Sequence, residues 1–484
     1  MDSLFNYLSP FILFGCLVFV LLRVYHSFNN PLSALPGPTI SKWSSVVITY
    51  YWFIGQRAQY VHSLHQKYGP IVRVSPDEVD ICDLAAARDI HRVGGRFVKS
   101  EWYRRLVPHA IENVFSTTDP KLHSFYRRLL SSPITDASLK RFEPVIIDRV
   151  RFAIAKIAEE LRTHGAADVF KWWTFMATDV IGELSFGESF RMLEYGKYSL
   201  DLECIASLQP IRTTFPFLIR LSEVVPLPMF RSAAEAGWRL SNYAQQSIER
   251  YRKLIALDPT AKSTLLTKLF NAEEDGLSDT EIRNQAQGYI VAGSDTTAVT
   301  LTYLVYSVCR DKTIRDRLVA EVSSLAEDFT EKDIRELPYL NQVINETLRL
   351  YSAVPSALPR VVPPERAYLA GYQLPAGVTV STQAYSFHRD PRIFPDPERF
   401  NPSRWASPTK EMKEAFMPFG AGSRICLGMH LARIELRLAT ALFFRTFLHA
   451  TVSAMTDEDD DMKPKMFFLL SPKGHRCLIQ DQVD

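Results

Sequence analysis

The sequence predicts a mainly α-helical body with small β-sheets, an α+β class, preceded by one transmembrane helix at the amino terminus. Three observations support this class. Apolar residues recur with helical periodicity from about residue 120 to 330. Two short runs of strand-forming residues, 71–75 and 78–82, flank a Pro-Asp turn. The last third of the chain is rich in proline and irregular, with short strands predicted near 378–381 and 467–470.

Composition and charge exclude several classes of protein. Of the 484 residues, 46% are hydrophobic and 23% charged, which excludes wholesale disorder and fibrous repeats. The 56 basic and 54 acidic residues leave a net charge of +2, so nothing favours a nucleic-acid partner. Six cysteines are scattered singly. This excludes a disulfide framework and a cysteine zinc site, and it favours a reducing compartment.

Residues 4–25 form the predicted membrane anchor. The run 11–22 is uninterrupted and apolar, and with its flanks it reaches the ~20 residues that a spanning helix needs. Arg23, His26 and Lys42 follow the run, so the positive-inside rule predicts a cytosolic body. A cleavable signal peptide would carry its positive charge before the run. A buried core helix is the remaining alternative.

The anchor is expected to join the body through a proline-rich hinge, residues 26–40. Its segment Leu35-Pro-Gly-Pro38 cannot continue a helix and predicts a stiff spacer before a catalytic domain of residues 41–484. A second interruption lies in 204–230, where four prolines break the helical pattern in an aromatic stretch. A mobile lid, a membrane-dipping surface, or ordinary helix ends in the core would each show this pattern.

The most specific motif is a glycine-rich loop that delivers one cysteine to a helix start, Phe419-Gly-Ala-Gly-Ser-Arg-Ile-Cys-Leu-Gly428. Backbone N–H groups and the positive helix end stabilise a thiolate there, and glycines admit a bulky planar group. Arg424 is placed to neutralise an anionic group of that ligand. A dinucleotide-binding loop is excluded, because Ile425 stands where the third glycine belongs and no strand precedes the loop. The other cysteines are interpreted as small buried apolar residues.

A second motif, Ala292-Gly-Ser-Asp-Thr-Thr297, lies in the middle of a long helix that the capping box Ser278–Glu281 begins. Gly293 costs such a helix ~1 kcal/mol. An acid beside two alcohols suits a site where something sits against the helix and exchanges protons. The structural alternative is a kink in which Thr296 or Thr297 bonds back to a carbonyl one turn earlier.

Two further motifs carry charge. Glu346 and Arg349 stand three residues apart on a helix that Pro338 opens, and so share one face; as a surface pair they contribute only a few tenths of a kcal/mol. Arg399, in Pro397-Glu-Arg-Phe400, is predicted to join them in a buried charged network.

In this order and spacing, the four motifs resemble those of the cytochromes P450, the haem-thiolate monooxygenases. The family pattern F-x-x-G-x-R-x-C-x-G is matched at every fixed position: Phe419, Gly422, Arg424, Cys426 and Gly428. The A-G-x-D-T-T, E-x-x-R and P-E-R-F motifs are intact. With the anchor and hinge, the resemblance spans nearly the whole chain. It implies the cytochrome P450 fold behind one transmembrane helix.

The resemblance also implies cofactor contacts. Cys426 is expected to be the axial thiolate ligand of haem iron, with Arg424 and Arg360 as partners of the haem propionates. The family's W-x-x-x-R contact stands here as His123-Ser-Phe-Tyr-Arg127. Arg127 is therefore expected at a propionate, whereas His123 is either a further contact or an ordinary helix-face histidine. Phe419 and Gly428 complete the expected cofactor-binding set.

For the chemistry, the resemblance implies that Asp295 and Thr296 relay protons with water. Glu346, Arg349 and Arg399 are implied to support the haem pocket. The resemblance implies haem b as the cofactor, and its thiolate ligand favours cleavage of the O–O bond of bound dioxygen. NADPH is the expected electron source, through a separate NADPH–cytochrome P450 reductase with cytochrome b5 as an optional second partner.

Location and substrate are expected on the same basis. The implied location is the endoplasmic reticulum membrane, with a single span and a cytosolic catalytic domain. Arg127 and Arg128 are suggested as part of the reductase-docking face. The segments 123–131 and 73–79 resemble those of fungal microsomal members that act in secondary metabolism.

The implied substrate is a lipophilic terpenoid, polyketide or indole alkaloid, because the segments that the resemblance implies to face the substrate are apolar and aromatic. These segments are 102–116, about 204–230, 289–297, 353–358 and 466–470. Hydroxylation is the default reaction; epoxidation, desaturation and successive oxidation would use the same residues. A haem-thiolate isomerase and a non-catalytic membrane haem or lipid binder are the alternatives.

Overall fold

The computed structural model describes residues 30–108, 112–197, 208–224, 228–257, 263–270, 277–456 and 460–481, with scattered positions between 14 and 25. Most of the predicted anchor, 4–25, and part of the 204–230 segment lie outside these residues. Within them, no helix is both long enough and apolar enough to cross a membrane.

Helices make up most of the body, as predicted. In chain order they are α1 (Val46–Phe53), α2 (Arg57–Tyr68), α3 (Leu84–His91), α4 (Trp102–Leu106), α5 (Pro120–Ser131), α6 (Asp136–Leu139), α7 (Glu143–His164), α8 (Val169–Phe186), α9 (Met192–Tyr195), α10 (Gln209–Thr214), α11 (Pro216–Val224), α12 (Pro228–Leu257), α13 (Thr267–Phe270), α14 (Asp279–Cys309), α15 (Lys312–Ser323), α16 (Glu331–Arg335), α17 (Pro338–Leu350), α18 (Ala384–Phe387), α19 (Lys410–Ala415) and α20 (Met429–Thr446).

The strands are short and form small sheets. They are β1 (Ile71–Ser75), β2 (Glu78–Ile81), β3 (Val98–Lys99), β4 (Ala167–Asp168), β5 (Arg360–Val361), β6 (Ala367–Leu369), β7 (Tyr372–Leu374), β8 (Thr379–Ser381), β9 (Thr451–Val452), β10 (Pro464–Met466), β11 (Leu470–Pro472) and β12 (Leu478–Gln480). The largest sheet has the order β1-β2-β8-β5-β3, in which only the β2–β8 pair is parallel. A second sheet has the order β4-β12-β9, and β6-β7 and β10-β11 are hairpins.

Helix α14 runs through the largest apolar core, where it packs on α8, α12, α17 and α20. Its capping box forms as predicted: the Ser278 hydroxyl accepts from the backbone N–H of Glu281, and the Glu281 side chain accepts from Ser278. The contact with α8 is close at Gly293, where a Cβ atom would lie 2.7 Å from Cγ1 of Ile181. Since buried residues occur on all sides of α14, it is a core helix rather than a surface one.

Two predicted segments differ in detail from the structure. The expected strand at 467–470 is mostly the turn of the β10-β11 hairpin, which begins pairing only at Leu470. The described part of the 26–40 hinge packs on the body: Leu32 and Leu35 are buried against the main sheet, and the Arg73 N–H donates to the Pro36 carbonyl at 2.9 Å. Those residues of the hinge are therefore joined to the body by apolar burial.

Candidate active site

The cysteine loop folds as a tight hairpin just before α20. The Cys426 N–H donates to the Phe419 carbonyl at 2.9 Å, and the Ile425 N–H donates to that of Gly422 at 3.1 Å. Gly422 has φ +65°, and a Cβ atom there would collide with the carbonyl of His91 at the end of α3. Glycine is therefore required at 422, because the loop lies directly on the backbone of α3.

The thiol of Cys426 lines a space inside the protein. Its side chain is accessible to solvent, yet burial raises the pKa of this thiol. A sulfur that faces a space inside the protein accounts for both observations. The Gly428 N–H hydrogen-bonds to the sulfur and the charge of Arg127 acts on it, and both lower the thiol pKa. Ala292, in the middle of α14, is also exposed, so accessible space reaches that helix.

Four of the predicted cofactor-binding residues come together with a buried lysine. We call Lys99, His123, Arg127, Arg360 and Arg424 the cationic cluster. Burial and then the charge of Arg360 lower the pKa of Arg424 to about 10. Burial and then the charge of Arg424 lower the pKa of His123 to about 3, so this imidazole is neutral at pH 7. The cluster thus carries several like charges within a buried region.

The members of the cluster come from α5, from the paired strands β3 and β5, and from the cysteine loop. Arg127, on α5, donates from Nη1 to the carbonyl of Ile425 at 2.8 Å, which ties α5 to the residue before Cys426. Arg424 donates from Nη1 to the carbonyl of Thr117 at 3.5 Å. Arg127 thus contacts the cysteine loop, whereas Arg128 lies on the protein surface beside it in sequence.

The cluster fits an anionic ligand. The charges acting most strongly on His123, Arg424 and Lys99 are those of other members, and the carboxylate of Asp119 acts only weakly on Arg424. That carboxylate already caps α5 by accepting from the N–H groups of Lys121 and Leu122. Several buried cations without matching carboxylates are stable only when an anion completes the site. The two propionates of haem have this chemistry, and the accessible sulfur of Cys426 is of a type that can ligate iron.

The proposed relay residues lie on α14 at the accessible space. The hydroxyl of Thr296 donates to the Ala292 carbonyl at 2.7 Å, which is the back-bond that the structural alternative predicted. Its oxygen retains lone pairs that can accept a proton. Asp295 is half-buried beside it. At Gly293, close packing of Ile181 accounts for the glycine, so this residue alone indicates no proton-exchange site.

The structure adds a buried acid that the sequence analysis missed. Glu435, on the second turn of α20, is 2% exposed. The Thr297 hydroxyl donates to its Oε2 at 3.0 Å, and burial raises the pKa of this carboxyl to about 8. A signal was present, since Glu435 falls between Leu431 and Leu438 on an apolar helix face.

Glu346 and Arg349 form the core of a buried charged network. Both side chains are fully buried, and the guanidinium donates from Nε at 2.9 Å and Nη2 at 2.8 Å to the two carboxylate oxygens. Arg404 Nε and Trp405 Nε1 donate to the same carboxylate at 3.0 and 2.9 Å. Arg399 contributes its carbonyl oxygen, 3.2 Å from Nη2 of Arg349. The second guanidinium of the network is therefore that of Arg404, not of Arg399 as predicted.

Phe419 and Gly428 frame the cysteine loop. The ring of Phe419 is half-buried, with the guanidinium of Arg433 5.5 Å from its centroid. Gly428 precedes the first residue of α20, and a Cβ atom there would lie 3.9 Å from the sulfur of Cys426. Both residues thus lie at the cysteine, as the motif predicts.

Comparison with known proteins agrees with this site. The family model for cytochrome P450 matches residues 37–478. The chain is 54% identical to cytochrome P450 monooxygenase tazI of Aspergillus terreus over 96% of each protein. It is 48% identical to cytochrome P450 monooxygenase orf2 of Aspergillus niger, over 99% of the chain and 100% of that protein. It is 35% identical to cytochrome P450 monooxygenase aflV of Aspergillus parasiticus, over 94% and 92%. The chain therefore belongs to the cytochrome P450 family, whose cofactor is haem iron, and is an oxidoreductase of the monooxygenase class.

Proposed function

We propose that this monooxygenase holds haem b through Cys426 and hydroxylates a lipophilic secondary metabolite, with electrons from NADPH delivered by a separate reductase. The observation that carries the proposal is the accessible sulfur of Cys426 inside the protein, next to a buried cationic cluster. When bound, haem supplies the activation of dioxygen and the oxidation of the substrate.

The residues of the chain would hold the cofactor, stabilise the thiolate and supply protons. The Gly428 N–H and the Arg127 guanidinium lower the thiol pKa of Cys426 and so favour the thiolate. The cationic cluster would bind the propionates. Hydroxylation consumes protons, and Thr296, whose hydroxyl oxygen can accept and pass on a proton, would supply them together with Asp295. The arginines of the cationic cluster would bind the propionate carboxylates through charge-assisted hydrogen bonds.

The substrate class is supported by an aromatic cluster. Segments 102–116 and 466–470, both predicted to face the substrate, meet there: the ring centroids of Phe115 and Phe468 are 5.4 Å apart, and those of Trp102 and Phe468 5.9 Å. Such a lining favours a lipophilic molecule with few charges. A terpenoid, polyketide or indole alkaloid satisfies this, and the similar Aspergillus monooxygenases support a fungal pathway.

Membrane attachment at the endoplasmic reticulum is part of the proposal. The 4–25 segment would be the anchor, and an exposed apolar surface offers a second contact. Phe53 on α1 lies beside Phe215, with ring centroids 6.1 Å apart, and Phe215 contacts Phe217. Contiguous exposed apolar surface marks a membrane or protein contact. Further exposed apolar residues nearby in sequence are Val46 and Tyr50 on α1 and Leu221 on α11.

The proposed reductase contact is a basic surface on α5. Lys121 and Arg128 line a surface groove of about 430 Å³ together with Pro120, Ser124 and Phe125. Basic side chains would attract the acidic surface of a reductase, and such attraction falls as salt is added.

Substituting the ligand tests the central assignment. Cys426→Ser is expected to abolish the red-shifted Soret band of the reduced carbon-monoxide complex, while Cys309→Ser, a change at a buried cysteine, leaves it. Retention of the band in Cys426→Ser would overturn the assignment. Candidate metabolites are then screened for spin-state shifts, and products are analysed with NADPH and reductase. Product formed without NADPH and oxygen would instead indicate an isomerase.

Deleting residues 1–30 tests the membrane proposal. Release of the haem-loaded protein from membranes is expected. Continued attachment would mean that the apolar surface around Phe53 and Phe215 also binds the bilayer, and replacing Phe217, 61% exposed, by serine should then release the protein.

A further inference from the structure

Lys99 is a buried lysine without an acidic partner. It lies in β3 and pairs in register with Arg360 of β5. Its Nζ donates to the Phe115 carbonyl and lies 3.9 Å from the ring centroid of Tyr103 and 4.5 Å from that of Phe115. No ion pair joins it to a carboxylate of the described residues. Its contacts are thus with a carbonyl and two aromatic faces.

The surroundings of Lys99 are positively charged. Burial lowers the pKa of its ammonium, and the charges of Arg360 and Arg424 lower it further. The Arg360 guanidinium is held close, since its Nη1 donates to the hydroxyl of Tyr103 at 3.1 Å. A buried ammonium near two guanidinium groups is costly unless an anion is added. A single anion bound here would therefore stabilise Lys99 together with Arg360 and Arg424.

We propose that Lys99 is a further positioning residue of the haem site. The ammonium of Lys99 binds a propionate and at the same time donates to the Phe115 carbonyl. It thereby couples the cofactor to the substrate-facing loop 112–118. This inference rests on the proposed function, because the anion that Lys99 binds must be a propionate of haem. The ammonium has three donors, which suffice for the carbonyl and a carboxylate together.

The loop is connected on its other side to α14 and to the aromatic cluster. The Val114 N–H donates to Oε1 of Gln285 at 2.9 Å, and the Phe115 ring packs on those of Tyr103 and Phe468. A substrate that displaces the Phe115 ring would move the carbonyl that Lys99 holds. The hold of the ammonium on the propionate would then change, so substrate binding and the reduction potential of the cofactor are linked reciprocally.

The test compares Lys99→Met with Lys99→Arg in the haem-loaded protein, and Lys332→Met serves as the matched loss of an exposed lysine. Haem transfer to an acceptor apoprotein should be roughly tenfold faster or more in Lys99→Met, as expected for a lost charge-assisted hydrogen bond. The midpoint potential should fall, because a positive charge near haem favours the reduced state. Lys99→Arg should restore both, and Lys332→Met should change neither.

A second readout addresses the loop. Backbone amides of 112–118 should exchange hydrogen faster in Lys99→Met than in the parent protein. If the haem transfer rate and the midpoint potential of Lys99→Met match those of Lys332→Met, the propionate contact is wrong. If they change while loop exchange does not, the coupling is wrong. The Soret band of the reduced carbon-monoxide complex should persist in Lys99→Met; its absence from the parent protein would instead refute the Cys426 assignment. Should Lys99→Met not fold, the same measurements are made on Lys99→Gln.

Discussion

Replacing Glu435 by glutamine is expected to remove a pH dependence from the stability of the protein. This carboxyl is buried on α20, accepts a hydrogen bond from Thr297 at 3.0 Å, and has a pKa raised to about 8 by burial. At neutral pH it is therefore a neutral acid in the folded protein. In the unfolded chain it has the ordinary pKa of 4.5 and is ionised.

The sign and size of the effect follow from the two pKa values. Below pH 4.5 both states bind the proton, and the contribution of Glu435 to stability is fully present. Between pH 4.5 and about 8 the folded state keeps a proton that the unfolded chain releases. Unfolding then becomes easier as pH rises, by about 1 kcal/mol for each pH unit. Glutamine still accepts from Thr297 through its amide oxygen but has no proton to lose.

The measurement is chemical denaturation of the haem-loaded protein at several pH values between about 5.5 and 7.5. The unfolding free energy of Glu435→Gln minus that of the parent should grow by about 1 kcal/mol per pH unit. Glu327→Gln, at an exposed glutamate between α15 and α16, controls for the loss of one carboxyl and should show no such trend. A difference for Glu435→Gln that stays constant over this range would refute the argument.

Three substitutions test other contacts. Glu346→Ala leaves Arg349 buried without its charged partner and should cost about 3–5 kcal/mol in denaturation; a loss below ~1 kcal/mol would contradict a buried ion pair. In Gly422→Ala, the added methyl group would collide with the backbone of α3. The purified protein should therefore lack Soret absorbance, and a normal haem content would show that the loop tolerates a Cβ atom. Gly293→Ala brings a Cβ atom to 2.7 Å from Ile181 and should lower Tm; adding Ile181→Ala should recover part of the loss, whereas strictly additive effects would rule out the clash.

Motifs that are contiguous in the chain were predictable. The cysteine loop is a local hairpin in which glycine conformation and backbone hydrogen bonds between residues 417 and 428 place Cys426 before α20. The start of α14 was predictable for the same reason, because its capping box spans only four residues, Ser278–Glu281. Contacts of this kind depend on neighbours in the sequence and need no knowledge of the fold.

The charged network could be predicted only in part. Glu346 and Arg349 share a helix face, so their pairing followed from helical spacing. Their partners come from an irregular segment, where a side chain can point either way. The choice of Arg404 and Trp405 over Arg399 depended on the backbone path after Pro397, which no periodic pattern encodes.

By itself, the sequence determined the helix-rich class and the family, and it singled out the cysteine that we propose as the iron ligand, since all three rest on local patterns and short motifs. Tertiary structure alone decided that Lys99 of β3 meets Arg360 of β5 and Arg424 of the cysteine loop, and that Glu435 meets Thr297. These groups are far apart in the chain and come together only because sheets and helices pack around one apolar core. Burial then sets their charges, and burial is a property of the folded protein.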